Sequence, residues 1–172
     1  VFTYLSLFLT LLVAAGIIFA PLIVKLIAYS FASDSQKFEM TVYLTRLMFP
    51  YIMLISLVAL AMGILNSLKK FAAPAASPIF LNLAIIFGAV ILSKLFDFPA
   101  TGLALGVLIG GVLQLSLQIP SLAKEGMIPR INFNWRHKAL KDVLLLMIPS
   151  AFGAAVYQIN VLVVTLLASF LP

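Results

Sequence analysis

Five long apolar runs dominate the pattern of hydrophobic and polar positions along this chain. Polar residues gather in the short segments between the runs, which cover residues 2–30, 44–67, 76–96, 100–122 and 143–171. A transmembrane α-helix needs about 20 consecutive, mainly apolar residues. The pattern therefore predicts five membrane-spanning helices, and the fold class is predicted to be an all-α integral membrane protein, a polytopic helix bundle.

Composition supports this prediction and excludes several kinds of site. Of the 172 residues, 64% are hydrophobic and 9% are charged, whereas soluble domains carry about 25% charged residues. The chain has no cysteine, which excludes disulfides and thiolate metal sites. We expect no metal and no cofactor. No nucleophile, metalloprotease or phosphate-binding motif is present in the sequence, so an enzyme is disfavoured and no catalytic residue is proposed.

The basic residues are distributed unevenly between the two sides that alternating helices create. One side receives Lys69, Lys70, Lys124, Arg130, Arg136, Lys138 and Lys141, and the other receives Lys25, Lys37, Arg46 and Lys94. By the positive-inside rule, the first group is cytoplasmic and the first helix points outward. The net charge of +6 thus indicates orientation in a membrane and not a nucleic-acid partner. Because both ends of the chain fall in apolar runs, we expect it to be an internal piece of a longer protein.

Arg46 and Pro50 stand together at the outer end of the second run. A proline inside a helix leaves the carbonyl of the residue four positions earlier without its partner, and here that residue is Arg46. Two interpretations are open. In the first, Arg46 is an interfacial anchor, and Pro50 lies close to the first turn of the buried part of the helix, where a lost hydrogen bond costs little. In the second, the bend at Pro50 forms a polar notch in which Arg46 meets an anionic headgroup.

The fourth run carries the clearest packing pattern. Gly102, Gly106 and Gly110 recur every four residues, and Gln114 and Gln118 continue the series. Small residues at this spacing form a groove that lets a neighbouring helix approach closely. We predict that these glycines pack a compact bundle.

Three amide side chains are candidates for a substrate path. Asn82 lies in the third run, after Pro78. Its amide either satisfies a nearby carbonyl, as a packing contact, or faces a water-filled cavity. Gln158 and Asn160 lie on opposite sides of the fifth run. They either line a polar path or form interhelical hydrogen bonds, because polar groups at membrane depth are costly unless satisfied.

Three strings resemble a known family in the same order along the chain. They are LTRLMFPYIMLISLVALAMGILNSLKKFAAPAASPIFLN (44–82), GGVLQLSLQIPSLAKEGMIPRINF (110–133) and PSAFGAAVYQINVLVVTLLASFL (149–171). They resemble the MurJ/MviN family of lipid II flippases, which act in bacterial peptidoglycan synthesis and belong to the multidrug/oligosaccharidyl-lipid/polysaccharide exporter superfamily. In register, the resemblance covers essentially the whole chain.

The resemblance implies a fourteen-helix, two-lobed transporter in which this chain supplies helices three to seven. Residues 1–122 would form the last four helices of the first lobe, 123–142 a cytoplasmic connector, and 143–172 the first helix of the second lobe. The implied location is the bacterial cytoplasmic (inner) membrane, with multiple spans. The implied partners are lipid II, membrane lipids and cell-wall synthesis proteins.

The implied mechanism is alternating access, in which a central cavity carries the lipid II headgroup outward. The family's main cavity arginines lie on helices that this chain lacks, so the expected path residues here are Gln158 and Asn160, with Arg46 at the outer mouth. Some relatives carry a sodium-binding acid six positions after the glutamine, where this chain has Val164. A sodium site is therefore doubtful, and energy from protons or from the membrane potential remains open.

Three alternatives stay open on sequence grounds. The transporter could export another polyprenyl-linked saccharide or a small cation, and acidic cavity residues on the remaining helices would favour the cation. A non-transporting scaffold for cell-wall synthesis would tolerate apolar replacement of Gln158 and Asn160. An intramembrane enzyme would need catalytic carboxylates outside this chain.

Overall fold

The computed structural model describes residues 2–28, 34–128 and 138–168, and within these residues it contains five α-helices and no strand. A short 3₁₀ turn, Leu92–Leu95, joins the third helix to the fourth. The helices are α1 (Phe2–Ile27), α2 (Ser35–Ser67), α3 (Ala72–Val90), α4 (Pro99–Lys124) and α5 (Lys138–Ala168). This architecture confirms the predicted all-α class.

Four segments are long and apolar enough to cross a membrane: α1, α2, α3 together with the 3₁₀ turn, and α4. The fifth run is also helical, but its apolar segment among the described residues, Phe152–Thr165, is shorter than the other four. A fifth crossing therefore stays a prediction. Residues 169–171 of that run, and 129–137 of the expected connector, lie outside the described residues.

Helix α2 begins earlier than its apolar run, because Asp34 caps it. The carboxylate of Asp34 accepts hydrogen bonds from the backbone N–H groups of Gln36 and Lys37, each at 3.1 Å. Such a cap satisfies donors that a helix N-terminus otherwise leaves unpaired. Glutamine, lysine and glutamate interrupt a hydropathy pattern but are good helix formers. With 33 residues, α2 is about 50 Å long and extends past the roughly 30 Å hydrocarbon core.

Helices α2 and α4 end side by side in the same capping motif. The N–H of Lys70 donates to the carbonyl of Leu65 at 2.8 Å, and the N–H of Met127 donates to that of Leu122 at 2.9 Å. These bonds require a left-handed residue one position earlier. That residue is Lys69, with φ of 58°, in α2 and Gly126, with φ of 70°, in α4. As a result, only Leu68–Phe71 separates α2 from α3, whereas the apolar runs 44–67 and 76–96 leave residues 68–75 between them.

The core of the bundle is built around α4, which packs against both α3 and α2, while α1 packs along α2. Helix α5 meets the bundle at α1. Buried clusters mark the two ends: Ala61, Leu65 and Leu122 at one end, and Ala20, Val24 and Val42 at the other.

The contact between α3 and α4 is made by glycines. A Cβ built on Gly106 would lie 2.7 Å from the carbonyl oxygen of Ala84 and 3.0 Å from the Cα of Gly88. A Cβ on Gly110 would lie 3.1 Å from the Cα of Leu81, and one on Gly102 would overlap the backbone at Ser93. Backbone therefore packs directly on backbone along this stripe.

Candidate functional site

Arg46 of α2 binds the backbone of α1. Its Nε donates a hydrogen bond to the carbonyl oxygen of Ile17 at 3.1 Å. In a regular helix this carbonyl accepts from the N–H of the residue four positions later. That residue is Pro21, which lies inside α1 and has no N–H. Arg46 thus supplies the donor that Pro21 lacks.

The Arg46 bond lies within a continuous antiparallel contact between α1 and α2. On one side of it, buried Gly16 accommodates the ring of Phe49, which any Cβ at position 16 would overlap. On the other side, Ala20 and Val24 pack against Val42. The arginine residue as a whole remains exposed.

Pro50 does not lie near a first turn. Because α2 begins at Ser35, Pro50 occupies the interior of the helix. The carbonyl of Arg46 consequently loses its helical partner in the middle of α2, where the cost of the missing bond is higher than at an end. The interpretation of a benign first-turn proline is therefore wrong.

The structure does not bring the four candidate path residues together. Asn82 is exposed on α3 and makes no hydrogen bond within the described segments, so it satisfies no nearby carbonyl there. Gln158 and Asn160 are exposed on α5, and no hydrogen bond to another described residue involves either side chain. Arg46 is the candidate with a defined partner.

Two amide side chains on α4, Gln114 and Gln118, are buried in surroundings that the sequence pattern did not predict. Gln118 is completely buried, and its Nε2 donates to the hydroxyl of Ser77 on α3 at 3.3 Å. Gln114 is 4% exposed. The Oε1 atoms of both have no hydrogen-bond partner in the described part of the chain. The sequence signal for their burial is their spacing of four residues, which places them on the same face of α4 as the glycines.

Two cavities open at the end of the bundle where α2 and α4 terminate. The larger, about 570 Å³, is apolar and is lined mainly by Leu57, Leu60, Ile64, Leu115, Ile119 and Met127. The smaller, about 340 Å³, is lined by Lys69, Lys70 and Lys124 together with Glu125. Lys70 pairs with Glu125 at 3.0 Å, whereas Lys69 and Lys124 form no ion pair with any residue in the part of the chain that the structure describes. This pocket lies at the predicted cytoplasmic end.

Metal ligation finds no support in the described residues. They contain no group of three or more histidine, cysteine, aspartate or glutamate side chains that could hold an ion. What the bundle does offer is amides, a backbone-bound arginine and a lysine-lined pocket. These groups suit the binding of polar or anionic groups.

Comparison with known proteins gives the family. The family model of the lipid II flippase MurJ matches residues 1–172. A Burkholderia cenocepacia protein named lipid II flippase MurJ is 41% identical over 171 residues, covering 97% of this chain and 33% of that relative. A probable lipid II flippase MurJ of Buchnera aphidicola from Acyrthosiphon pisum is 41% identical over 168 residues, covering 98% and 33%.

A third relative, the probable lipid II flippase MurJ of Vibrio cholerae, is 42% identical over 135 residues, covering 78% of this chain and 26% of that protein. The chain thus spans about a third of the length of the first two relatives. Because the family match runs from its first residue to its last, this chain belongs to the lipid II flippase MurJ family.

Proposed function

We propose that this chain is one part of a lipid II flippase, which moves the lipid II headgroup from the cytoplasmic to the outer leaflet by alternating access. The observation that carries this proposal is the family match over every residue of the chain. The four helices able to span a membrane support it. The site of action is the cytoplasmic membrane of a bacterium.

The chain divides into two parts at the connector predicted for 123–142, of which α4 includes the first two residues and α5 the last five. The first part, 1–122, forms four helices of one lobe, and the second part, 143–172, opens the next lobe. This division is supported by the packing, since α1 to α4 form one bundle while α5 meets that bundle at α1. Two bodies joined by a connector can rock against each other, as alternating access requires.

Gln158 and Asn160 contribute to the path of the headgroup. Both are exposed on α5, and amides facing lipid would be costly. Their exposure supports an aqueous cavity or facing helices of the second lobe as their surroundings. Asn82, exposed on α3, is a second polar position of this kind. Val164 offers no oxygen ligand, so α5 provides no sodium ligand at that position.

The lysine-lined pocket attracts the anionic end of the substrate on the cytoplasmic side. Lys69 and Lys124 are exposed there, and cationic side chains raise the local concentration of an anionic ligand. Lysine acts on phosphate groups as a point charge, without the bidentate geometry of arginine. This pocket therefore acts mainly by electrostatic attraction to the membrane surface and to the substrate, and less by holding the substrate in one position.

A chimera tests the proposed function with the chain as it stands. In the Burkholderia cenocepacia relative, this chain replaces the matched segment, and the chimera is expressed in cells depleted of their own flippase. The amount of lipid II that is accessible at the outer face of the membrane is then measured. Restored accessibility supports the flippase, with the unaltered relative as the positive control.

The negative outcome of this experiment is also specific. A chimera that accumulates in the membrane but leaves lipid II inaccessible would overturn the proposal for this segment. Transport of a different polyprenyl-linked saccharide, or a scaffold role without transport, would then account for the family membership.

A further inference from the structure

We infer that Arg46 is a backbone clamp, a positioning residue that replaces the N–H missing at Pro21 and thereby holds the outer halves of α1 and α2 together as one unit. The clamp consists of the Arg46 Nε and the Ile17 carbonyl, 3.1 Å apart. The inference concerns the mechanics of two helices and stands whether or not the transported substrate is lipid II.

The bond is specific to one proline. The helices contain further interior prolines at 50, 78, 120 and 149. Each frees the carbonyl four residues earlier, but among the described residues only the one freed by Pro21 accepts a side-chain hydrogen bond. A general attraction between side chains and freed carbonyls would not select this position alone.

Arginine suits this role because its donors are spread over a planar group. The Nε can bind the carbonyl while both terminal nitrogens stay directed to headgroups or water, so the charge remains solvated. A lysine ammonium carries all its donors on one nitrogen, so it cannot bind the carbonyl and reach the headgroups at the same time. The exposure of the Arg46 residue agrees with this division of donors.

The surrounding contacts explain why the bond controls the outer halves. Gly16 and Phe49 pack on the inner side of the clamp, and Ala20, Val24 and Val42 pack on its outer side. Pro21 weakens the α1 backbone between these two contacts. Without the clamp, α1 can bend at Pro21 independently of α2, since bends form where the helical hydrogen-bond ladder is interrupted.

The test is a rescue experiment read by distances between spin labels. Leu26 near the end of α1 and Tyr43 in the outer part of α2 are exposed, and the chain has no cysteine of its own. Cysteines at these two positions are labelled in the lipid-reconstituted protein. The unaltered sequence is expected to give a narrow distance distribution, and Arg46→Ala is expected to lose it.

Adding Pro21→Ala to Arg46→Ala is expected to restore the narrow distribution, because the second substitution returns the backbone N–H that the Ile17 carbonyl then accepts. Pro50→Ala is the matched control: it restores a different bond in α2 and should not rescue Arg46→Ala. If the Arg46→Ala protein fails to accumulate, the experiment is done with Arg46→Met, which keeps a long side chain but has no donor. An unchanged distribution in the arginine variant, or rescue by Pro50→Ala but not by Pro21→Ala, would overturn the clamp.

Discussion

Gly88 of α3 and Gly106 of α4 meet backbone to backbone. A Cβ added to Gly88 would lie 2.9 Å from the Cα of Gly106 and 2.7 Å from the carbonyl oxygen of Gly102. Real Cβ atoms do not approach backbone atoms so closely, so any side chain at these positions has to push the two helices apart. The helix pair at the centre of the bundle therefore depends on the absence of side chains along this line.

Gly106→Ala is predicted to destabilise the bundle because the new methyl group meets backbone atoms that cannot rotate away. We expect a loss of about 1–3 kcal/mol in the free energy of unfolding. Gly63→Ala on α2 is the matched control, since a Cβ there meets nothing within 4 Å. Unfolding by sodium dodecyl sulfate in mixed micelles measures both, and equal stability of the two variants would contradict the close contact.

Lys69→Gly is predicted to stabilise the protein, because Lys69 has the left-handed backbone that glycine adopts without strain. The strain of an L-residue in this region is about 1 kcal/mol, and relief of up to that amount is expected in the same unfolding measurement. Gly126→Ala should lose a similar amount at the equivalent position of α4. A stabilising Gly126→Ala would contradict the shared capping motif.

The buried pair of Ser77 and Gln118 provides a test by double mutation. Ser77→Ala leaves the Gln118 amide without its partner, and a buried unsatisfied donor costs about 1–3 kcal/mol. Replacing both, as Ser77→Ala with Gln118→Leu, should recover most of this loss, because two apolar groups leave no polar atom unpaired. Ser67→Ala, which removes only a local bond to Ile64 on the surface, is expected to change little.

Asp34 is predicted to make the start of α2 sensitive to acid. The backbone N–H of Lys37 is the main cause that lowers the pKa of this carboxyl below its ordinary value of 3.8, with the Lys37 charge and the Gln36 N–H adding to it. Because the pKa is lower in the folded state, the stabilising effect is present above the ordinary value and is lost as the pH falls through the lowered one.

Hydrogen exchange at the amides of Gln36 and Lys37 measures this effect. Protection should fall under acid in the native chain but not in Asp34→Asn, which keeps an acceptor without a titrating group. Asp34→Ala should lose protection at every pH. If the hydrogen-exchange protection of the native chain does not change with pH, the cap does not depend on the charge of Asp34.

Hydropathy predicted the helices well but not their beginnings. The fold class and four spanning segments are confirmed, because about 20 apolar residues in a row have few alternatives to a membrane helix. The start of α2 was placed too late because Gln36, Lys37 and Glu39 are polar yet favour helix. The start of such a helix is determined by a local cap. In the sequence, Asp34 is one acidic residue in a short segment of mixed charge, and nothing there marks it as the cap.

The role of Arg46 illustrates a different limit. Pro21, Arg46 and Pro50 were all recognisable as unusual residues within apolar runs. Their connection depends on the register of α1 against α2, which places Ile17 opposite Arg46. Register follows from the packing of Gly16 on Phe49 and of Val24 near Val42, and pairwise packing of this kind is not contained in the periodicity of either helix alone.

The cysteine-free chain allows a direct test of the proposed path along α5. Gln158→Cys is expected to react with a membrane-impermeant maleimide, because an exposed amide on this helix is satisfied by water if it lines the path. Val58→Cys, at a completely buried position of α2, and Leu83→Cys, at an exposed apolar position of α3, are the two controls. The first reports protection by packing and the second protection by lipid, so both should stay unlabelled. Protection of Gln158→Cys equal to that of Leu83→Cys would mean that this face of α5 meets lipid or another helix, and Gln158 would then be a packing residue outside the path.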